Sequence, residues 1–178
     1  MKMQLVNAIQ TMAQQTVDGI HTAFPGVILA VDFNKGTCDV QPYAMCRTTA
    51  GERMAYPTMY GVPLAVPQSS VAGACVAFPI RPGDTCLIVI SEGTLDYWLF
   101  DRVTGLDSKF DLTNAICIPG LSRTLDPSFR EAADGAIILK SGAGKIKLTS
   151  DSLTLDAKNI NINATGNVKI TGARVDIN

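Results

Sequence analysis

Histidine is nearly missing from this 178-residue chain, and His21 is the only one. A Ser–His or Cys–His dyad could run only through it, and no GxSxG elbow is present to supply a nucleophile. No cysteine lies at ligand spacing from His21, so a structural or solvent-facing role is expected rather than a metal site. The five cysteines, Cys38, Cys46, Cys75, Cys86 and Cys117, form no CxxC pair and are odd in number. They are expected as free thiols buried in strands of a protein made in the cytoplasm. Aromatic residues make up only 6 % of the chain, which argues against a groove of stacked bases. No apolar run approaches the roughly 18 residues of a membrane-spanning helix. The first residues, MKMQLVNAIQ, lack the apolar core of a signal peptide, so any membrane role is expected to be exercised from outside.

Charge is also scarce. The net charge is −1, with six Lys/Arg against three Asp in residues 136–178 and nine Lys/Arg against thirteen acidic residues in 1–135. Neither balance points to a nucleic-acid partner. Glu92, Asp96 and Asp101 sit in polar, turn-like surroundings and read as solvated loop charges rather than as a glycosidase pair. Gly142-Ala143-Gly144 lacks the rest of a phosphate-binding glycine loop and precedes no helical pattern, so it reads as a strand connection. No catalytic residue, metal ligand or cofactor is assigned, and the chain is read as not an enzyme.

What the chain does have is a repeat. From residue 136 onward, apolar pairs separated by one residue recur: Ile146/Leu148, Leu153/Leu155, Ile160/Ile162, Val168/Ile170 and Val175/Ile177. Their first members lie 7, 7, 8 and 7 residues apart. Each pair is a period-2 signal, hence a very short strand with one apolar face. The residues between are turn formers. A coiled coil is excluded because residues two apart do not share a helix face. A single-chain β-helix needs roughly 20 residues per coil, so this stretch would close only about two. In an intertwined trimeric β-helix each chain needs only seven or eight residues per face, and the pairs of three chains bury one another. This is the favoured reading, with those ten residues as the trimer-axis core. An ordinary β-meander is the alternative, although strands this short and polar make a poor sheet face.

The rest of the chain is read in order. Residues 3–22 predict a helix with Leu5, Ile9, Met12, Thr16 and Ile20 near one face, ended by Pro25-Gly26. Strands are expected at 27–33, 37–47, 62–66, 75–79, 85–91 and 115–118. Turns are expected at Asn34-Lys35-Gly36 and Arg81-Pro82-Gly83-Asp84. Residues 51–70 read as a long loop around the 62–66 strand, 96–100 as a short segment carrying Trp98, and 109–114 as irregular. The strand 85–91 is the most apolar and is expected to be central. Several short strands in about 95 residues suit a small Greek-key barrel such as the OB-fold, with another small β-barrel as competitor. The expected fold class is all-β with a short N-terminal helix, an OB-like β-barrel followed by an intertwined trimeric β-helix. Its domains are helix 1–25, barrel 26–120, linker 121–135 and shaft 136–178.

The order of the motifs adds a resemblance. Phe24-Pro25-Gly26-Val27 is followed by Thr37-Cys38-Asp39-Val40-Gln41-Pro42, then by Arg81-Pro82-Gly83-Asp84. Phe110-Asp111-Leu112-Thr113-Asn114-Ala115 and Ile118-Pro119-Gly120-Leu121 complete the series. This series, with the repeat behind it, resembles the central-spike family of contractile-tailed phages, the membrane-puncturing type with an OB-fold base and a trimeric β-helix. The resemblance implies a homotrimeric virion protein at the centre of the tail baseplate, assembled in the host cytoplasm. Hub proteins would sit on its N-terminal and barrel side, and the shaft would pierce the host outer membrane. Many such spikes end in a His-x-His pair that grips iron, and here no histidine follows His21. Five or six strands per chain, at about 4.8 Å each, make a shaft of only about 25–30 Å. The last apolar pair is still in register with the repeat. A separate tip protein contacting Val175, Ile177 and Asn178 is therefore expected. The alternative function is a β-barrel binding module for a surface glycan or a nucleic acid. A basic or aromatic groove would mark it, and neither stands out.

Overall fold

The computed structural model of the chain describes residues 2–47, 51–102 and 108–176. It divides into two compact units, Met1–Arg123 and Thr124–Asn178.

The first unit opens with helix α1, Lys2–Asp18. It is mostly β-sheet thereafter. The strands are β1 (Ala23–Asp32), β2 (Thr37–Pro42), β3 (Met45–Arg47), β4 (Arg53–Ala55), β5 (Met59–Pro63), β6 (Gln68–Ser69), β7 (Ala74–Cys75) and β8 (Thr85–Ile90). Helix α2 (Asp96–Phe100), a 3-10 turn (Leu112–Asn114) and strand β9 (Ala115–Pro119) complete it. The main sheet has the order β5-β2-β1-β8-β9. β5, β2 and β1 are antiparallel neighbours, and β8 returns by a long connection to lie on the other side of β1. That is a Greek-key arrangement. The sheet also curls. Leu64, just past β5, makes a parallel bridge to Cys117 on β9, and Ala65 N–H donates to Cys117 O at 2.8 Å. The two edges thus approach each other, giving a half-barrel.

Local chemistry explains the strands. β2 and β8 alternate half-buried and buried residues along their whole length, as a sheet with one face on a core requires. The inward set is Ile28, Cys38, Val40, Met59, Val62, Ile80, Cys86, Ile88, Ile90, Ala115 and Cys117. The β1–β2 turn is held by Asp32, whose carboxylate accepts from Asn34 N–H and Lys35 N–H at 3.0 and 3.1 Å. Before β8, Asp84 Oδ2 accepts from Arg81 N–H at 2.7 Å. Both turns fall where the sequence puts them.

Several boundaries differ from the expectation. The helix stops at Asp18 rather than residue 22, with Gly19 N–H still bonded to Gln15 O. The expected strand 37–47 is broken at 43–44, and its second half turns away to pair with β4 in a separate ribbon. The stretch 51–70 is not a plain loop, since it holds β4, β5 and β6. The strand expected at 62–66 lies at 59–63, because Val62 and Met59 are the residues that point into the core. The expected strand 75–79 shrinks to the two residues of β7. Residues 96–100 are helical, and 109–114 contain the 3-10 turn. Strand β8 lies inside the sheet, but β1 is its middle member.

The second unit contains helix α3 (Ser128–Ala133) and strands β10 (Ile137–Ser141), β11 (Gly144–Leu148) and β12 (Leu153–Asp156). The expected linker 121–135 therefore includes a helix. Strands β10, β11 and β12 form an antiparallel meander within one chain. Gly142-Ala143 is the two-residue turn between the first two, with Gly142 at φ 58°, a conformation that excludes most side chains. Residues 157–176 carry no strand. The intertwined trimeric β-helix is thus not seen in the single chain, which has the meander arrangement over 137–156. The physical reason is that a strand exists only against a hydrogen-bonding partner, and among the described residues 157–176 pair with no other strand.

Candidate self-association surface

The meander has two faces of opposite character, because side chains alternate along each strand. Register places Ile137, Leu148 and Leu153 in one row and Leu139, Ile146 and Leu155 in the next, all on the same face. The other face carries Ile138, Lys147 and Thr154, then Lys140, Lys145 and Asp156.

Helix α3 covers the lysine face. Pro127, at φ −52°, starts it, and Asp126 Oδ1 accepts from Ser128 N–H at 2.8 Å. The same carboxylate takes both of its oxygens to Lys140 Nζ at 3.1 Å. Glu131 accepts from Lys145 Nζ at 2.9 Å and from Lys147 Nζ at 3.0 Å. The bond from Ser128 N–H, with Ser128's hydroxyl and Lys140, lowers the Asp126 carboxyl to about 2. Lys145, then Lys147, hold the Glu131 carboxyl below the ordinary glutamate value. Phe129 and Ala132 of α3 line a hollow with Ile138 and Lys140.

The apolar face is left uncovered. Ile137, Leu139, Ile146, Leu148, Leu153 and Leu155 are 42–65 % exposed. Past the meander, Ile160, Ile162, Val168, Ile170 and Val175 are 49–68 % exposed. Eleven large apolar side chains in one contiguous stretch far exceed the scattered exposed residues of an ordinary surface. Of the sequence-predicted pairs, Ile146/Leu148 and Leu153/Leu155 are brought face to face. Ile160/Ile162, Val168/Ile170 and Val175 are exposed but not paired. Ile177 and Asn178, assigned to the axis end and to the tip contact, lie outside the described residues. The pair Ile137/Leu139 was missed, although it has the same i, i+2 signature. It lies nine residues before Ile146 rather than seven or eight.

His21 packs its ring against Phe24 and Tyr56, at centroid distances of 5.8 and 5.5 Å. Cys38, Cys86 and Cys117 converge in the half-barrel core as free thiols, while Cys46 is half-buried and Cys75 exposed. Hydrogen bonding with Cys117, together with burial, pushes the Cys86 thiol far up. Cys117 is pushed up to about 12, chiefly by its bond with Cys38, against the opposing effect of its bond with Cys86. Such thiols stay protonated and are not nucleophiles. Among the described residues no group of three His, Cys, Asp or Glu side chains could hold a metal ion. Asn114 is the buried polar residue of the core, and it ties loops together. Its Nδ2 donates to Ser108 O at 3.0 Å, and its Oδ1 accepts from Leu95 N–H at 3.3 Å.

Residues 24–120, more than half of the chain, match the family described as phage protein Gp138 N-terminal domain. The chain belongs to this family. It is a phage structural protein, a component of the virion. The matched residues run from the second residue of β1 to just past β9, so the family domain is the half-barrel. The apolar face of the meander lies beyond it. No curated protein matches the chain significantly.

Proposed function

We propose that this chain is the central spike of a contractile phage tail, acting as a homotrimer that pierces the host outer membrane as the tail contracts. The observation that carries the reading is the uncovered apolar face of β10–β12, continued at the same i, i+2 spacing through Val175. Helix α3 does not bury it, because it is engaged on the opposite, lysine-bearing face. Three copies turning these faces inward would form a dry axis, and residues 157–176 would gain strand partners from neighbouring chains. Interlocked strands of this kind bend only if many hydrogen bonds break together, which is the stiffness a puncturing shaft needs.

The Greek-key order and the parallel approach of Leu64 to Cys117 support reading the half-barrel as an OB-fold base, the part that would seat on baseplate hub proteins. The role is mechanical rather than enzymatic. The test is the mass of the purified full chain by analytical ultracentrifugation, joined to imaging of the phage baseplate. Three chains per particle, with density for them on the tail axis, is the expected result. A monomer across the micromolar range would overturn the trimer and the spike together.

A further inference from the structure

Helix α1 presents a second uncovered apolar face. Every side chain described from residue 4 to 17 is exposed. Yet Leu5, Ile9 and Met12, continued by Thr16, fall at 4-3-4 spacing on one side, with Val6, Ala13 and Val17 flanking them. Thr16 Oγ1 donates to Met12 O at 2.9 Å, so its hydroxyl is satisfied within the helix and its methyl can lie in an apolar seam. Gln4, Asn7, Thr11, Gln14 and Gln15 occupy the other side. Residues 3–17 contain no charged residue at all. A helix of this length is marginal in water without a packing partner.

We infer that three copies of α1 pack in parallel as a helical bundle, a second self-association surface of the trimer proposed above, on which this inference rests. Three features select copies of this chain as the occupant. In a parallel bundle each seam residue meets its own copies and each flank meets the neighbour's opposite flank; the charge-free stretch 3–17 brings no like charges together at either place and offers a charged partner nothing to recognise. The stripe, a 4-3-4 ladder with flanks, is wider than the seam of a two-helix coil and suits a helix touching two neighbours. The polar side lacks the Lys and Arg that a membrane-surface helix uses.

The test uses the full chain with Cys46→Ser and Cys75→Ser, which removes the accessible native thiols. Ile9→Cys, Met12→Cys and Thr11→Cys are made separately. Each variant's mass is measured, and it is then mildly oxidised and run on a non-reducing gel. Trimeric mass with interchain disulfides at positions 9 and 12, and at least tenfold less at 11, is the expected result. Trimeric mass with no cross-link at 9 or 12 overturns the bundle while leaving the trimer intact, and would make the helix face a docking site for another protein. Equal cross-linking at 9, 11 and 12 overturns the assigned face. A monomeric mass removes the trimer and the bundle alike.

Discussion

Replacing Ile146 with Asp separates a surface residue from an axis residue by several kcal/mol. Ile146 lies in the middle of β11, opposite Leu139 and Leu155, and is 42 % exposed in the single chain. Complete burial of such a side chain is worth about 1.5–3 kcal/mol, so covering the exposed part contributes about 1 kcal/mol. Six such residues on the meander give about 6 kcal/mol per chain on self-association by the same measure, before the entropy of assembly. On an uncovered face, Ile146→Asp would lose only the burial that the side chain already has within the chain, about 1–2 kcal/mol. In a trimer it places three carboxylates together in an apolar column, at a cost of several kcal/mol per ion by order of magnitude. The assay is thermal unfolding at two protein concentrations a hundredfold apart, with mass by ultracentrifugation. The wild-type midpoint should rise with concentration, and Ile146→Asp should lose both the trimer and that dependence. Thr154→Asp, on the lysine face of the same sheet, should keep both. An Ile146→Asp protein with unchanged mass and midpoint would refute the assignment of this face to the axis.

Three further outcomes follow from the geometry. The Asp126 and Glu131 carboxyls are depressed in the fold, so their contribution is complete above the ordinary carboxylate range and is lost as pH falls through their lowered values, for Asp126 about 2; amide exchange should show α3 losing protection as pH falls below the ordinary carboxylate range, and Glu131→Gln should weaken its protection already at neutral pH. A Cβ at Gly26 would sit 2.5 Å from Ile88 Cδ1 and 3.2 Å from Gln41 O, so Gly26→Ala should destabilise the half-barrel by about 1–3 kcal/mol in a denaturant titration. In a thiol-labelling time course Cys75 should react at once and Cys46 more slowly, while Cys38, Cys86 and Cys117 should react only on unfolding; rapid labelling of all five would contradict the closed core.

The sequence by itself determined what is local. Alternation along 37–42 and 85–90, the 3.6-residue pattern of α1, the turns at Asn34-Lys35-Gly36 and Arg81-Pro82-Gly83-Asp84, and the i, i+2 pairs of the C-terminal stretch are all properties of a few adjacent residues. The backbone periods of strand and helix write them directly into the order of side chains. Tertiary structure alone decided what depends on distant partners. Nothing near Cys38, Cys86 or Cys117 says that three strands bring them into one core. Strand order, with β8 beside β1 and β9 curling toward β5, is set by long-range pairing. Helix α3 escaped notice because six residues are too few to display a period. It is held by Glu131 reaching Lys145 and Lys147, 14 and 16 residues on. That same contact decides which face of the meander is covered. The apolar pairs announced a face needing burial, but only the placement of α3 on the lysines showed that this chain leaves it open.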